Sequence, residues 1–152
     1  MNPSESIPAG ESAIPAVYHR LAAFLDGLPG GFPPAEDQLH VRLLQKLFSE
    51  EEAVFLQHLM LIPEPAEVLA KRANLDAEEA RSILERLAAR RLIYFWPGKN
   101  GSTYMVAQFV IGFWEGQVNQ LDRELVELYE AYFPYYAASG NWQEHPQLRV
   151  IP

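Results

Sequence analysis

Residues 49–107 read SEEEAVFLQHLMLIPEPAEVLAKRANLDAEEARSILERLAARRLIYFWPGKNGSTYMVA, and the order of signals within them decides the fold. Ser49 and Glu52 stand at the spacing of a capping box. The serine hydroxyl accepts the backbone N–H of the glutamate, the carboxylate returns a bond to the serine N–H, and a helix starts. Ala53, Leu56, Leu59 and Met60 give that helix its apolar face. Ile62-Pro63 breaks the pattern, and Pro65 opens a short helix carrying Ala66, Leu69, Ala70 and Ala73, with Asn74 suited to a left-handed cap. Asp76 and Glu79 predict a second capping box, and Ala80, Ile83, Leu84 and Leu87 form the inward stripe of the next helix, to about Arg91. Leu92 to Trp96 is aromatic and β-prone, Asn100-Gly101 signals a reversal, and Thr103 to Ala107 supplies the return strand. Helix, turn, helix and hairpin in that order predict a winged helix-turn-helix, with the hairpin as the wing.

Toward the N-terminus, Ile14, Val17, Tyr18, Leu21, Phe24, Leu25 and Leu28 recur at helical spacing behind Pro15. Leu28-Pro29-Gly30-Gly31-Phe32-Pro33-Pro34 cannot continue a helix and predicts a connector, either hinge or loop. A second helix is expected over 36–47, with Leu39, Leu43, Leu44 and Leu47 facing inward. Residues 1–13 are rich in Ser, Glu, Pro and Ala, the composition of a flexible arm. Toward the C-terminus, Phe109, Val110, Phe113, Trp114, Val118 and Leu121 predict a long apolar helix with Gly112 and Gly116 one turn apart. Asp122 caps a final helix carrying Leu125, Leu128, Tyr129, Tyr132 and Phe133, which Pro134 is expected to stop. The fold class is therefore mainly α: a single winged-helix domain over 14–152 with extra N- and C-terminal helices.

The 152 residues are 49% apolar and 21% charged, enough for one core. They carry 20 acidic and 12 basic side chains, a net charge of −8 that opposes long-range attraction to a phosphate backbone. The cations concentrate in the middle: residues 63–108 hold 7 basic and 6 acidic groups, against 3 and 8 before them and 2 and 6 after. With no cysteine, this chain has no disulfide, no thiolate nucleophile and no cysteine-ligated cluster. The first residues lack the charged and apolar regions of a signal peptide, and no apolar run approaches the ~20 residues that span a bilayer, so a cytoplasmic protein away from membranes is expected.

Arg81, Arg86, Arg90, Arg91 and Lys99 lie on the expected recognition helix and wing, where a DNA-binding winged helix makes phosphate and base contacts. Against that reading, Asp76, Glu78 and Glu79 occupy the first turn of the same helix, the end that enters the major groove. Glu36 and His40 alone have ligand-like spacing on one helix, a pairing common on surfaces. No Ser-His-Asp order, glycine-rich phosphate loop or paired-carboxylate motif stands out, and an enzyme is not expected. Aromatic residues crowd the final third. Most would pack a core, but Trp114 and the run Tyr132-Phe133-Pro134-Tyr135-Tyr136 are too aromatic for a free helix end and predict contacts with another domain or subunit.

Two segments carry a family resemblance. Tyr104-Met105-Val106-Ala107-Gln108-Phe109-Val110-Ile111-Gly112-Phe113-Trp114-Glu115 with Gln117-Val118-Asn119, and Pro146-Gln147-Leu148-Arg149-Val150-Ile151-Pro152, resemble the N-terminal region of prokaryotic ferredoxin-type 4Fe-4S proteins. In that group a winged-helix-like segment precedes a C-terminal part whose clustered cysteines hold the clusters. The chain departs from the group in having no cysteine. None of the family's cluster ligands can be placed on it, and 4Fe-4S clusters would belong to a C-terminal part beyond it.

The resemblance implies the N-terminal domain of a longer protein: a non-catalytic docking domain in electron transfer, holding its own ferredoxin-like part or a redox protein. Trp114, Tyr132, Tyr135 and Tyr136 are the expected contact residues. The alternative is a DNA-binding transcriptional regulator using Arg81, Arg86, Arg90 and Lys99. A homodimer through the terminal helices is a third reading.

Overall fold

The computed structural model describes residues 13–147. The arm expected over 1–13 lies outside the described residues apart from Ala13, as does the apolar end from Leu148. The described chain is mainly helical with a small antiparallel sheet. α1 (Ala16–Asp26), α2 (Leu39–Leu47) and α3 (Glu50–Leu56) lead to a short β1 (Glu64–Pro65), which is followed by α4 (Ala66–Ala73) and α5 (Ala77–Ala89). The hairpin of β2 (Ile93–Trp96) and β3 (Thr103–Val106) precedes a single turn, α6 (Phe113–Gly116), then α7 (Arg123–Ala138) and a last short helix, α8 (Asn141–Glu144). Among the described residues no helix is long and apolar enough to cross a membrane.

Local signals place most of these elements. Ser49 Oγ accepts from Glu52 N at 3.2 Å while Glu52 Oε2 accepts from Ser49 N at 2.9 Å, the reciprocal pair that fixes the start of α3. Asn74 takes the left-handed conformation (φ 55°) that ends α4. The hairpin runs in register from Ile93 opposite Val106 to Trp96 opposite Thr103. Unanticipated is β1, where Glu64 pairs with Tyr104 and Pro65 with Thr103, so that the sheet order is β1-β3-β2. Two residues are too few to leave a period-two signal.

Other expectations need correction. Asp76 caps α5 by accepting from Glu78 N at 2.9 Å, not through a box with Glu79. The helix expected over 36–47 starts only at Leu39, because Asp37 and Gln38 (φ 50° and 54°) make a left-handed turn ahead of it. Met60 is 49% exposed, since α3 has ended at Leu56 and its stripe no longer applies.

The long apolar helix from Phe109 is absent; only α6 is helical there, and Val118 and Leu121 are exposed. The two glycines serve close backbone approach. A Cβ on Gly112 would fall 2.0 Å from Gln108 O, and one on Gly116 would fall 2.2 Å from Arg91 O. The chain loops tightly at the first and docks on the end of α5 at the second.

α7 runs through Pro134 to Ala138, although a proline within a helix costs about 3 kcal/mol. The tyrosines on either side hold it. Tyr132 OH donates to Pro33 O at 2.9 Å and Tyr136 OH to Gly30 O at 3.0 Å, which fastens the helix to the connector on both sides of the break.

That connector is packed. Phe32, 1% exposed, sits at ring-centroid distances of 4.9 Å from Tyr132, 5.5 Å from Phe109 and 6.2 Å from Phe113. Its N–H donates to Asp26 Oδ1 at 2.9 Å, and Gly30 N donates to Gln108 Oε1 at 2.6 Å. Phe32→Ala therefore lowers unfolding free energy by about 3–5 kcal/mol in denaturant titrations. Truncating the half-exposed Phe95 costs less than about 1 kcal/mol.

β1 is held by Arg72, whose Nη1 and Nη2 donate to Glu64 Oε2 and Oε1 at 2.7 and 2.6 Å while Nη1 also reaches His58 O at 2.7 Å. These bonds hold the Glu64 carboxyl below its ordinary range, against the opposing effect of desolvation. A depressed folded-state pKa gives stability that is complete above the unfolded pKa and lost as pH falls through the folded one. Between about pH 5 and pH 3 the native chain therefore loses more stability than Glu64→Gln does, as measured by thermal melts across that range.

Candidate docking surface

The cations of the expected DNA-reading helix meet carboxylates of their own chain. Arg81 Nη2 lies 2.9 Å from Glu67 Oε1, and the same guanidinium also pairs with Glu78. Arg86 Nη2 is 2.6 Å from Glu51 Oε2, with its Nε 3.7 Å from Glu52 Oε1. Arg90 joins Glu52 Oε2 at 2.7 Å and donates to Leu47 O at 3.1 Å. Glu52 has a side chain only 6% exposed, so Arg86 and Arg90 serve first as counter-charges that let α3 pack on α5. Lys99, in the turn between β2 and β3, is exposed and has no ion pair among the described residues; Arg91 is likewise exposed. Glu78, Glu79 and Glu85 share α5 with the arginines, so the helix presents mixed charge instead of a basic stripe.

The four aromatic residues expected at a partner surface separate into two pairs. Tyr132 (0% exposed) and Tyr136 (6%) are buried in the chain's own core through the bonds to Pro33 and Gly30, and burial pushes both hydroxyls above their ordinary range. Trp142 Nε1 donates to Tyr136 OH at 2.7 Å, which fixes α8 over α7. Trp114 and Tyr135 remain half-buried. Tyr135 OH reaches Glu36 Oε2 at 3.3 Å, and the Trp114 ring lies 5.7 Å from that of Phe133.

What lies open is a strip of which only Phe133 belongs to the aromatic run expected at an interface. Tyr94 and Trp96, two apart on β2, point to one face of the sheet with ring centroids 6.1 Å apart. Tyr94 OH donates to Ile111 O at 3.1 Å and so joins the hairpin to the loop before α6. Ile111 and Phe133 then open onto a groove of about 380 Å3 whose further walls include Val110, Tyr136 and Trp142. Trp96 is 44% exposed, Ile111 49% and Phe133 39%, a run of apolar surface with the texture of a protein interface. Glu115 accepts from Gly112 N at 2.6 Å; burial first, and the Glu115 charge after it, raises the Tyr94 and Tyr136 hydroxyls above their ordinary range. The alternation of Tyr94 and Trp96 was the available signal in the sequence. The joining of Ile111 to Phe133 left none.

Glu36 and His40 do not converge on a ligand. The histidine Nδ1 accepts from Ala35 N at 3.2 Å, and burial lowers its pKa, whereas the glutamate meets Tyr135. Among the described residues no three His, Cys, Asp or Glu side chains group as metal ligands, and the sequence has no cysteine, so these residues do not fit an iron-sulfur cluster. Comparison with known families, curated proteins and solved structures finds no match to this chain.

Removing Arg90 strands the Glu52 carboxylate with less compensation. Arg90→Ala is expected to lower stability by about 1–3 kcal/mol, whereas Arg123→Ala, from an exposed pair on α7, changes it by less than about 0.5 kcal/mol, both read by urea titration.

Proposed function

We propose that this chain is a winged-helix docking module, the non-catalytic N-terminal domain of a cytoplasmic ferredoxin-type 4Fe-4S electron-transfer protein. Support for the winged helix comes from the succession α3, β1, α4, α5, β2, β3 and from a sheet ordered β1-β3-β2, the arrangement in which a hairpin flanks the second helix of a helix-turn-helix. The observation that carries the docking role is the contrast between two surfaces. Arg81, Arg86 and Arg90 are engaged by carboxylates of the same chain, while the strip from Trp96 through Ile111 to Phe133 is apolar and open.

Protein surfaces are recognised through such aromatic and aliphatic anchors, whereas duplex DNA is bound through cations free to release its counterions. The electron-transfer part of the reading rests on the resemblance of the segments at 104–119 and 146–152 to ferredoxin-type proteins. The clusters would be held by cysteines outside these residues, in the chain's own ferredoxin-like part or in a redox partner.

Two measurements test the role. Fluorescence anisotropy with random duplex DNA at low salt is expected to give weak binding that Arg81→Ala and Arg86→Ala barely change. Salt-dependent affinity lost in those variants and in Lys99→Ala would favour the DNA-binding regulator. Amide exchange on the assembly isolated anaerobically should be slowed around Ile111 and Phe133 relative to the separate chain and unchanged along the exposed face of α5. Protection on α5 alone would contradict docking through the strip.

A further inference from the structure

Side chains from three helices fasten the backbone of residues 32–35, where the connector runs toward α2. Asp26 at the end of α1 accepts from Phe32 N at 2.9 Å, Tyr132 on α7 donates to Pro33 O at 2.9 Å, and His40 on α2 accepts from Ala35 N through Nδ1 at 3.2 Å. Of these three residue types, only histidine ordinarily changes charge near neutral pH. To accept an N–H, its Nδ1 must be unprotonated, with the ring proton on Nε2. An imidazolium donates from both nitrogens. Protonation of His40 therefore sets one donor against another, and the bond to Ala35 is lost.

The surroundings set the direction of the effect. His40 is half-buried beside Phe32, with ring centroids 6.4 Å apart, and shares a cavity of about 210 Å3 with His19 and Asp26, both on α1. Burial lowers the pKa of His40 first and the His19 charge lowers it further, against the opposing pull of the Asp26 carboxylate. Ahead of α2, Glu36 meets Tyr135 OH of α7 at 3.3 Å and Asp37 is exposed, while α7 contributes Tyr132, engaged with Pro33 O. Among the described residues His19, Asp26 and His40 do not group as metal ligands, so the species they exchange is the proton. A folded-state pKa below the ordinary value of about 6.5 favours the neutral ring within the fold. That stability is complete above the unfolded pKa and is lost as pH falls through the folded one.

We propose that His40 is a pH-controlled latch on the connector: neutral, it ties Ala35 to α2; protonated, it lets go, and residues 32–35 loosen as the Asp26 carboxylate turns from Phe32 N toward the new cation. The latch is independent of the docking role.

Amide-resolved NMR of the full chain between about pH 8 and about pH 5 tests it. Exchange at the Ala35 amide, taken relative to its intrinsic rate at each pH, is expected to quicken about tenfold as the His40 ring protonates, and the Ala35 and ring signals should share one midpoint below about 6.5. His40→Gln supplies a side-chain oxygen that accepts without titrating, so exchange at Ala35 stays slow throughout. His19→Gln, at an exposed position, is expected to move the midpoint upward and keep the response. An Ala35 amide that does not follow the ring would overturn the proposal, as would the same acid response in His40→Gln. So would a midpoint above about 6.5, which would mean that Asp26 holds the cation and that the closed form is the protonated one. If His40→Gln fails to fold, the comparison of amide and ring signals in the unsubstituted chain decides alone.

Discussion

The insertion of Phe32 among Tyr132, Phe109 and Phe113 is the contact on which the rest of the arrangement depends. It brings the connector after α1, the loop before α6 and the last long helix into one aromatic cluster. Apolar burial supplies the driving force, but the hydrogen bonds give it register. Two tyrosine hydroxyls reach backbone carbonyls of the connector, and the Gln108 amide bridges Gly30 and Gln147. Buried carbonyls of a proline- and glycine-rich loop have no ladder of their own. The tyrosines satisfy them and in return hold α7 together across Pro134.

This cluster determines what is left at the surface. By drawing Tyr132 and Tyr136 inward, it turns Phe133 outward on the same helix, and by fixing the loop at Val110 it presents Ile111 beside that ring. The exposed strip is therefore a by-product of how the core closes, extended by the outer face of the hairpin through the bond from Tyr94 to Ile111. A parallel logic applies at α5. Its arginines neutralise Glu51, Glu52 and Glu67 and so permit an acidic α3 to lie against it, which leaves little free positive charge for a polyanion.

Legibility in the sequence follows the range of the interactions. The capping box at Ser49, the left-handed Asn74 and the Asn100-Gly101 reversal act within four residues and were readable directly. The fate of the arginines was not, because Arg86 and Arg90 find partners 35 and 38 residues away. The same holds for Pro134, which reads as a helix stop until a hydroxyl 99 residues from its acceptor is known to span the break. The expected helix after Phe109 failed for a related reason. Its apolar spacing was sound, but two glycines at points of near-contact with backbone favour a loop, and nothing local announces such contacts. Of the candidate contact residues, Trp114 and Tyr135 stay partly accessible, as does Phe133 of the same aromatic run, while the outward-facing Trp96 and Ile111 could be chosen only once the core was known.

The most direct test of the docking role is the intact mass of the endogenous gene product, isolated anaerobically, with its visible absorption and its iron and sulfide content. The account predicts a product longer than these 152 residues, or tightly associated with a second protein, carrying iron and acid-labile sulfide in proportion. A colourless product of this mass alone, free of iron and of any associated protein, would contradict it.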